Sequence, residues 1–169
     1  MKRILLLVAA LAALLKAPAV AAQTRPGQVT FLNPATVAQP NGYSQLVRVD
    51  LGPATMLIMS GQVALDTQGK VVGPGDMEKQ ANQVFANIQH LVEASGGTMQ
   101  QVVKLSYYLL DISQIQAVRK VRDRYINLAA PPASTAVQVS KLFRDDLLLE
   151  IEATAIIPKP SSDGGPKTH

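Results

Sequence analysis

The stretch that most constrains the fold is Leu147–Ile157, an apolar run that carries two acids. Side chains alternate along a strand, so every second residue lies on one face. That face would hold Leu148, Glu150, Glu152, Thr154 and Ile156. A carboxylate on a half-buried strand face costs free energy unless it is paired, hydrated or used in chemistry. The stretch therefore predicts a strand whose acids need a structural or functional explanation.

A second alternating run, Ser134–Ser140, precedes this strand, and the polar link Arg144–Asp146 lies between them. The pattern predicts a β-hairpin or two neighbouring strands. Further strands are expected upstream at Gln28–Leu32, Tyr43–Asp50, Thr55–Gln62 and Val102–Leu110.

Two helices are predicted between the strands. Asp76 is a good N-cap for the first, and Gly96-Gly97 stands where a C-cap is expected. Its apolar residues recur at helical spacing: Met77, Ala81, Val84, Phe85, Ile88 and Val92. Ser113 to Gln116 fits a capping box for the second helix. The basic residues of that helix are expected to form its solvated side, with an anion site as the alternative; they are Arg119, Lys120, Arg122 and Arg124.

This order of elements predicts an α+β domain, with one mixed sheet and both helices packed on one face. The chain offers no third layer to cover the other face of the sheet. Several strands are apolar on both faces, and a large uncovered apolar surface favours self-association. We therefore expect a closed oligomer.

Residue composition limits the chemistry. Cysteine is absent, which excludes disulfides, thiolate metal sites and cysteine nucleophiles. Of the two histidines, His90 is expected on a helix surface and His169 ends the chain. Neither has a metal-ligand spacing, so no metal site is predicted, and no cofactor is implied.

Residues 1–22 are predicted to be a cleavable signal peptide, with an uncleaved membrane anchor or an artefact of the choice of start site as the alternatives. Lys2-Arg3 precedes the apolar segment Ile4–Leu15, and small residues follow Lys16. Cleavage would remove three of 16 basic residues and none of the 12 acids, so the formal charge would fall from +4 to +1. Nucleic-acid binding thereby loses its electrostatic basis. We expect a periplasmic or secreted protein without stable membrane insertion.

The mature chain is then expected to have three parts. Residues 23–41 form a flexible lead-in, 42–158 form the folded domain, and 159–169 form a disordered tail. The tail is rich in proline, glycine and serine, which is typical of disorder.

Several short motifs follow one another along the chain, among them Gly42–Gln45, Ser60–Gln62, Pro132–Val139 and Leu149–Ala155. Together they resemble the Rid family, the YjgF-type reactive intermediate imine deaminases. The resemblance implies a chorismate-mutase-like, YjgF-like fold. It also implies a homotrimer whose sheets form a barrel, with small-molecule sites in clefts between subunits.

One position departs from the pattern of the deaminating members of that family. Ser134 stands where those members have an arginine that grips the substrate carboxylate. A guanidinium makes a bidentate, charge-assisted contact, whereas a hydroxyl makes one neutral hydrogen bond. The resemblance therefore implies a substrate other than the usual free 2-imino acid.

Other pocket positions are carried over from the resemblance. Glu150 matches the acid that positions or activates water, and partial burial would raise its pKa toward the working range. The remaining substrate-binding positions are Tyr43, Ser60, Gly61, Ala136 and Arg119. Ala136 replaces a frequent cysteine but keeps a backbone carbonyl acceptor, and Arg119 replaces a polar residue of the second helix. The alternative for Glu150 is a structural acid paired across an interface, and Glu152 is expected to be structural.

Three functions fit these features. The first is hydrolysis of an imine, an enamine or a related C–N bond by water held near Glu150. The second is a non-catalytic trimer that binds a small metabolite in the same clefts. The third, which ranks behind the others, is an interaction or holdase-like protein that uses apolar trimer surfaces.

Overall fold

The structure is a computed structural model that describes residues 27–160. Its single sheet has six strands: β1 (Val29–Leu32), β2 (Leu46–Asp50), β3 (Ala54–Gln62), β4 (Val102–Leu109), β5 (Ala133–Gln138) and β6 (Leu149–Pro158). The two helices are α1 (Met77–Glu93) and α2 (Ile115–Arg122). Short 3-10 turns at Met99–Gln101 and Ile112–Gln114 precede β4 and α2. The chain therefore has the predicted α+β architecture.

The strand order in the sheet is β1-β2-β3-β6-β4-β5. All neighbouring pairs are antiparallel except β4 and β5, which are parallel. A parallel pair needs a crossover connection, and α2 supplies it between β4 and β5.

The expectation that β5 and β6 are neighbours or form a hairpin is wrong, because β4 lies between them. A period of two identifies a strand but not its partner. β6 pairs antiparallel with both β3 and β4, which gives this apolar strand a central place in the sheet. β5 is left at the sheet edge, and all six of its residues are exposed.

The first helix begins and ends where the sequence predicts. The Asp76 side chain accepts a hydrogen bond from the Lys79 amide at 3.0 Å. At the other end, Gly96 has φ of 80°, which glycine adopts without strain. The second helix differs, because Asp111 rather than Ser113 is the N-cap of its leading 3-10 turn. The Asp111 carboxylate accepts from the Ser113 amide at 2.9 Å, so the predicted capping box at Ser113 does not form.

Both helices lie on one face of the sheet, and the core lies between them and the strands. In β6, Leu149, Ile151 and Ala153 are buried on that face. Glu150 and Glu152 alternate with them and lie on the opposite face, as predicted. We call this opposite side the open face, because no element among residues 27–160 packs over it. Self-association through it stays a prediction.

The predicted signal peptide and the end of the predicted tail lie outside the described residues. Lys159, the first residue of that tail, donates from its backbone amide to the Pro53 carbonyl at 2.9 Å. Its ammonium also pairs with Asp50 at 2.7 Å. Within residues 27–160, no helix is long and apolar enough to cross a membrane.

Candidate functional site

An irregularity in β3 makes room for the Glu150 carboxyl group. The pairing of β3 with β6 shifts between Met59 and Gln62, so Ser60 and Gly61 form a bulge. A Cβ atom on Gly61 would overlap the Glu150 Oε1 atom and lie 2.6 Å from its Cδ. Only glycine leaves space for the carboxyl group in this position. The bulge in β3 therefore determines where the Glu150 carboxyl group of β6 lies.

The environment of Glu150 favours its neutral form. Burial raises the pKa of its carboxyl group, and the negative charge of Glu152 adds to the rise. Glu152 itself accepts a hydrogen bond from the Tyr108 hydroxyl at 3.0 Å. Within the described chain, Glu150 has no hydrogen-bond or ion-pair partner. A half-buried, unpaired acid with a raised pKa has the properties of a general base.

Polar side chains hold the bulge to the loop before β2. The Ser60 hydroxyl donates to the Ser44 carbonyl at 2.7 Å. The buried Gln62 amide donates to the Gln45 side-chain oxygen at 2.8 Å and to the Ser60 carbonyl at 2.9 Å. Each of these buried polar groups is thereby satisfied, as a buried amide must be. The network fixes the backbone that faces Glu150.

A cleft of about 340 Å³ opens beside this bulge. Tyr43 and Gly61, two of the predicted substrate-binding residues, both line it. The exposed ring of Phe143 forms part of its rim. Ser60 instead borders a shallow depression of about 280 Å³ on the open face. Glu150 lines neither of the two, but its carboxyl group meets Gly61 at the bulge. We call Tyr43, Ser60, Gly61 and Glu150, which the bulge connects, the acid half-site.

The remaining predicted residues form a second region on the other side of the sheet. Ser134 pairs with Leu105, and Ala136 pairs with Tyr107, in the parallel register of β4 and β5. Both partners are buried on the helix-facing side, so Ser134 and Ala136 also face that side. Arg119, exposed on α2, influences the nearby Tyr107 through its charge. We call Arg119, Ser134 and Ala136 the β5 half-site.

One chain does not bring the two half-sites together. Glu150 lies on the open face, whereas Ser134 faces the helices. β4 also separates β6 from β5, so two strand spacings of roughly 5 Å lie between them. A site that contains both Glu150 and Ser134 therefore requires two chains.

Sequence analysis missed Tyr107 and did not connect Arg122, named there among the basic residues of the second helix, with Ser134. The Tyr107 hydroxyl is buried next to the Arg122 guanidinium and the Ser134 hydroxyl. A tyrosine at a core-facing strand position was the available signal, because a buried phenol normally has a polar partner. The proximity of Arg122 had no signal, because it depends on how α2 packs against the sheet.

Replacing Gly61 with alanine should displace the Glu150 carboxyl group at little cost in stability. The clash is with the end of a flexible side chain, so we expect the unfolding free energy to change by less than about 1 kcal/mol. Any catalysis by Glu150 should fall about tenfold or more, because small displacements of a reacting group are costly. Thermal unfolding and steady-state kinetics measure the two effects.

Gly97→Ala is the matched control. Its Cβ atom would lie 2.8 Å from Ile157 Cγ1 and 2.9 Å from Gln101 Oε1, away from Glu150. This variant should lose stability and keep its activity. If Gly61→Ala also lost stability but kept its activity, the bulge would not position Glu150.

The fold and the half-sites define a class of protein with a YjgF-like sheet and two helices. Among solved structures, the yeast protein YEO7 superposes with a TM-score of 0.69, at 26% identity, over 78% of this chain and all of its own. The YjgF gene product of E. coli superposes with a TM-score of 0.63, at 30% identity, over 75% of this chain and 98% of its own. E. coli TdcF with bound serine superposes with a TM-score of 0.63, at 27% identity, over 75% of this chain and 98% of its own.

The sequence matches the family described as Endoribonuclease L-PSP over residues 34–157. The chain belongs to this family, which includes the Rid and YjgF proteins. Protein DfrA of Myxococcus xanthus is 40% identical over 68% of this chain and 84% of its own length. The 2-iminobutanoate/2-iminopropanoate deaminase of Mus musculus is 33% identical over 68% of this chain and 80% of its own. Membership in the Rid family, predicted from the motifs, is confirmed.

Proposed function

We propose that this chain is an exported Rid-family hydrolase that cleaves the C–N bond of an imine or enamine. The observation that carries the proposal is the unpaired Glu150 carboxyl group, which lies over Gly61 with a raised pKa. The likeness to a 2-iminobutanoate/2-iminopropanoate deaminase supports the same reaction type.

The reaction needs one base and one water molecule. Glu150 accepts a proton from water as the water oxygen attacks the imine carbon. Glu150 returns this proton to the nitrogen, which gives a carbinolamine. A second proton then moves from the new hydroxyl group to the amino nitrogen, the C–N bond breaks as the C=O bond forms, and a carbonyl compound and ammonia are released. An enamine first takes a proton on carbon to become the imine.

The site is proposed to form between subunits of a homotrimer. Support comes from the position of the half-sites on opposite faces of one sheet. A second chain would bring its β5 half-site against the acid half-site of the first. The exposed edge of β5 and the open face provide surfaces for this contact.

The substrate is proposed to differ from the usual free 2-imino acid. Ser134 supplies a hydroxyl, which donates to the Pro132 carbonyl at 3.1 Å, and no positive charge of its own. Export also separates the protein from cytosolic imine sources. The structure of TdcF with bound serine supports a small ligand in this class of protein.

The direct test is the release of ammonia from imines that an amino-acid oxidase generates in the assay. Purified protein without the first 22 residues should accelerate release above the uncatalysed rate. Comparing imines with and without a carboxylate would define the substrate class. If no imine is hydrolysed but a small metabolite binds at the acid half-site, the protein is a binding protein instead.

Ser134→Arg should increase the hydrolysis of 2-iminobutanoate. A guanidinium on β5 would add a charge-assisted contact of about 1.5–3 kcal/mol, which corresponds to roughly ten- to a hundredfold in kcat/KM. Ser134→Lys is the control, because it adds the charge without the planar fork and should gain less. A Ser134→Arg protein that folds normally but gains nothing would show that the acid half-site does not support this reaction.

A further inference from the structure

A second cleft, of about 480 Å³, lies on the helix side of the sheet, away from the open face. Three parts of the chain form its walls: the loop before α1, the first half of α1 and the segment that follows α2. The residues that line it include Val72, Glu78, Asn82, Gln83 and Arg124. We call it the helix cleft. Its lining is mostly polar and carries both signs of charge, which suits a small charged ligand.

Arg124 brings a positive charge to this cleft that no acid of the described chain balances. Its Nη2 atom makes only a long contact, at 3.5 Å, with the Asn82 Oδ1 atom, and it has no carboxylate partner within residues 27–160. The neighbouring Lys79, in contrast, pairs with Asp76 at 3.0 Å. A guanidinium has five N–H donors in a planar fork, which matches the two oxygens of a carboxylate. Arg124 is therefore available to bind an acidic group.

Asn82 is held in place beside Arg124. Its Oδ1 atom accepts a hydrogen bond from the Tyr125 hydroxyl at 3.1 Å, in addition to the contact with Arg124. The Tyr125 ring in turn stacks on the buried ring of Phe85, with 5.4 Å between the centroids. Because both donors meet the oxygen, the Nδ2 group of Asn82 has no acceptor among the described residues. The cleft thus offers an amide donor next to a guanidinium.

Acceptor groups line the same cleft about one helical turn away. Glu78 precedes Asn82 by four residues, so the two side chains are neighbours on one face of α1, roughly 6 Å apart. The Glu78 carboxylate is 47% exposed, and its pairing with Lys120 is long, at 3.7 Å. The Gln83 Nε2 atom donates to Asn87 Oδ1 at 2.8 Å, which leaves Gln83 Oε1 without a donor in the described chain. These oxygens are suitable partners for an ammonium group.

We propose that the helix cleft binds a free α-amino acid, whose carboxylate contacts Arg124 and Asn82 and whose ammonium group contacts Glu78. The two charges of this ligand are joined through one carbon atom. With a hydrogen bond of about 2.8 Å at each end, the ligand spans groups that lie one helical turn apart. An acid without an amino group would be repelled by Glu78, and an amine without a carboxylate would be repelled by Arg124. The half-buried Val72 provides an apolar contact for the side chain of the ligand.

The helix cleft is separate from the acid half-site. Glu150 and Gly61 meet at the bulge in β3, and no residue of the acid half-site lines the helix cleft. The inference therefore goes beyond the proposed function and does not rest on it. An amino acid in the helix cleft is bound as an effector and not as a substrate, because the base of the proposed reaction lies elsewhere.

The test compares amino acids with their two halves as ligands of the purified protein, followed by calorimetry at neutral pH. L-alanine is compared with propanoate and ethylamine, and L-leucine with 4-methylpentanoate and 3-methylbutylamine. We expect at least one amino acid to bind about tenfold or more tightly than either of its halves, because it makes both charge-assisted contacts. A native chain without this preference would overturn the proposal.

Substitutions then locate the bound ligand. Arg124→Gln should weaken the amino acid about tenfold, and Arg124→Lys should keep part of the affinity, since it retains the charge without the planar fork. Glu78→Gln should weaken the amino acid but not the plain acid, because it removes only the partner of the ammonium group. Arg48→Gln is the matched control, because Arg48 is also an exposed arginine but lies on β2, outside the cleft. It should bind like the native chain.

Three results would contradict the assignment to the helix cleft. In the first, Arg124→Gln binds the amino acid as tightly as the native chain does. In the second, Arg48→Gln loses as much affinity as Arg124→Gln, which would show an effect of overall charge. In the third, Glu150→Gln abolishes binding while Arg124→Gln retains it, which would place the ligand at the acid half-site.

The inference and the proposed function fail in different ways. If amino acids bind through Arg124 but no imine is hydrolysed, the helix cleft stands and the hydrolase function falls. If imines are hydrolysed but no amino acid is preferred over its halves, the hydrolase function stands and the helix cleft falls.

Discussion

Replacing Glu150 with glutamine is expected to lower kcat/KM for imine hydrolysis by about a hundredfold or more. The amide has nearly the same shape as the acid but cannot accept a proton from water. Its position over Gly61 should be unchanged, because the backbone bulge and the polar network of Gln45 and Gln62 remain. Ammonia release measured for both proteins at one pH gives the effect.

The pH dependence of the proposed hydrolysis provides an independent check. If Glu150 is the base, the reaction requires its ionised form, so kcat/KM should rise with pH and level off once the acid is ionised. Because burial and Glu152 raise its pKa, the inflection should lie above 4.5, the ordinary value of a glutamate. Glu152→Gln should move the inflection to lower pH, because it removes the neighbouring negative charge. If Glu150→Gln left kcat/KM unchanged and Glu152→Gln left the inflection at the same pH, Glu150 would not be the base.

Glu150→Gln, which should lower the activity, should raise the stability of the fold. A carboxyl group with a raised pKa holds its proton more tightly in the folded state than in the unfolded state. Stability therefore falls as the pH rises through the unfolded and then the folded pKa. Glu150→Gln should be more thermally stable than the native chain at pH 7, and the difference should shrink as the pH approaches 4. A gain in stability with a loss of activity is typical of a functional residue.

Local patterns in the sequence were sufficient to predict the helices and strands and which face of α1 and β6 is buried. The apolar spacing from Met77 to Val92 gave the buried side of α1, and the alternation in β6 placed Glu150 opposite the core. These features depend on residues close in the chain, whose side chains obey fixed periods. The motifs then identified the family, and with it the fold.

Features that depend on distant residues were not accessible in this way. The insertion of β4 between β5 and β6 is a long-range pairing that no local pattern specifies. The bulge at Ser60 and Gly61 has meaning only once Glu150 lies opposite it. The approach of Arg122 to Tyr107 depends on the packing of α2 against the sheet. For this reason the sequence indicated only that Ser134 removes a positive charge from β5. In the structure, Arg122 of α2 and Ser134 are both neighbours of the Tyr107 hydroxyl.

The largest effect on assembly is expected from Ile58→Asp. Ile58 lies on the open face and is 45% exposed in the single chain, next to Ser60 of the acid half-site. If this face is covered by another subunit, the new carboxylate must be buried without a partner, which costs several kcal/mol. Light scattering should therefore show a monomer in place of the proposed trimer. Ammonia release should be lost as well, because Glu150 and the β5 half-site lie on opposite faces of one sheet.

Leu51→Asp is the control for this effect, because Leu51 is also apolar and 44% exposed but lies in the turn between β2 and β3, outside the sheet. It should assemble as the native chain does and keep the native activity. The joint loss of assembly and activity in Ile58→Asp alone would connect the uncovered sheet face to the chemistry of Glu150. A native chain that is monomeric and still hydrolyses imines would instead show that one chain completes the site, which would contradict the two-chain arrangement.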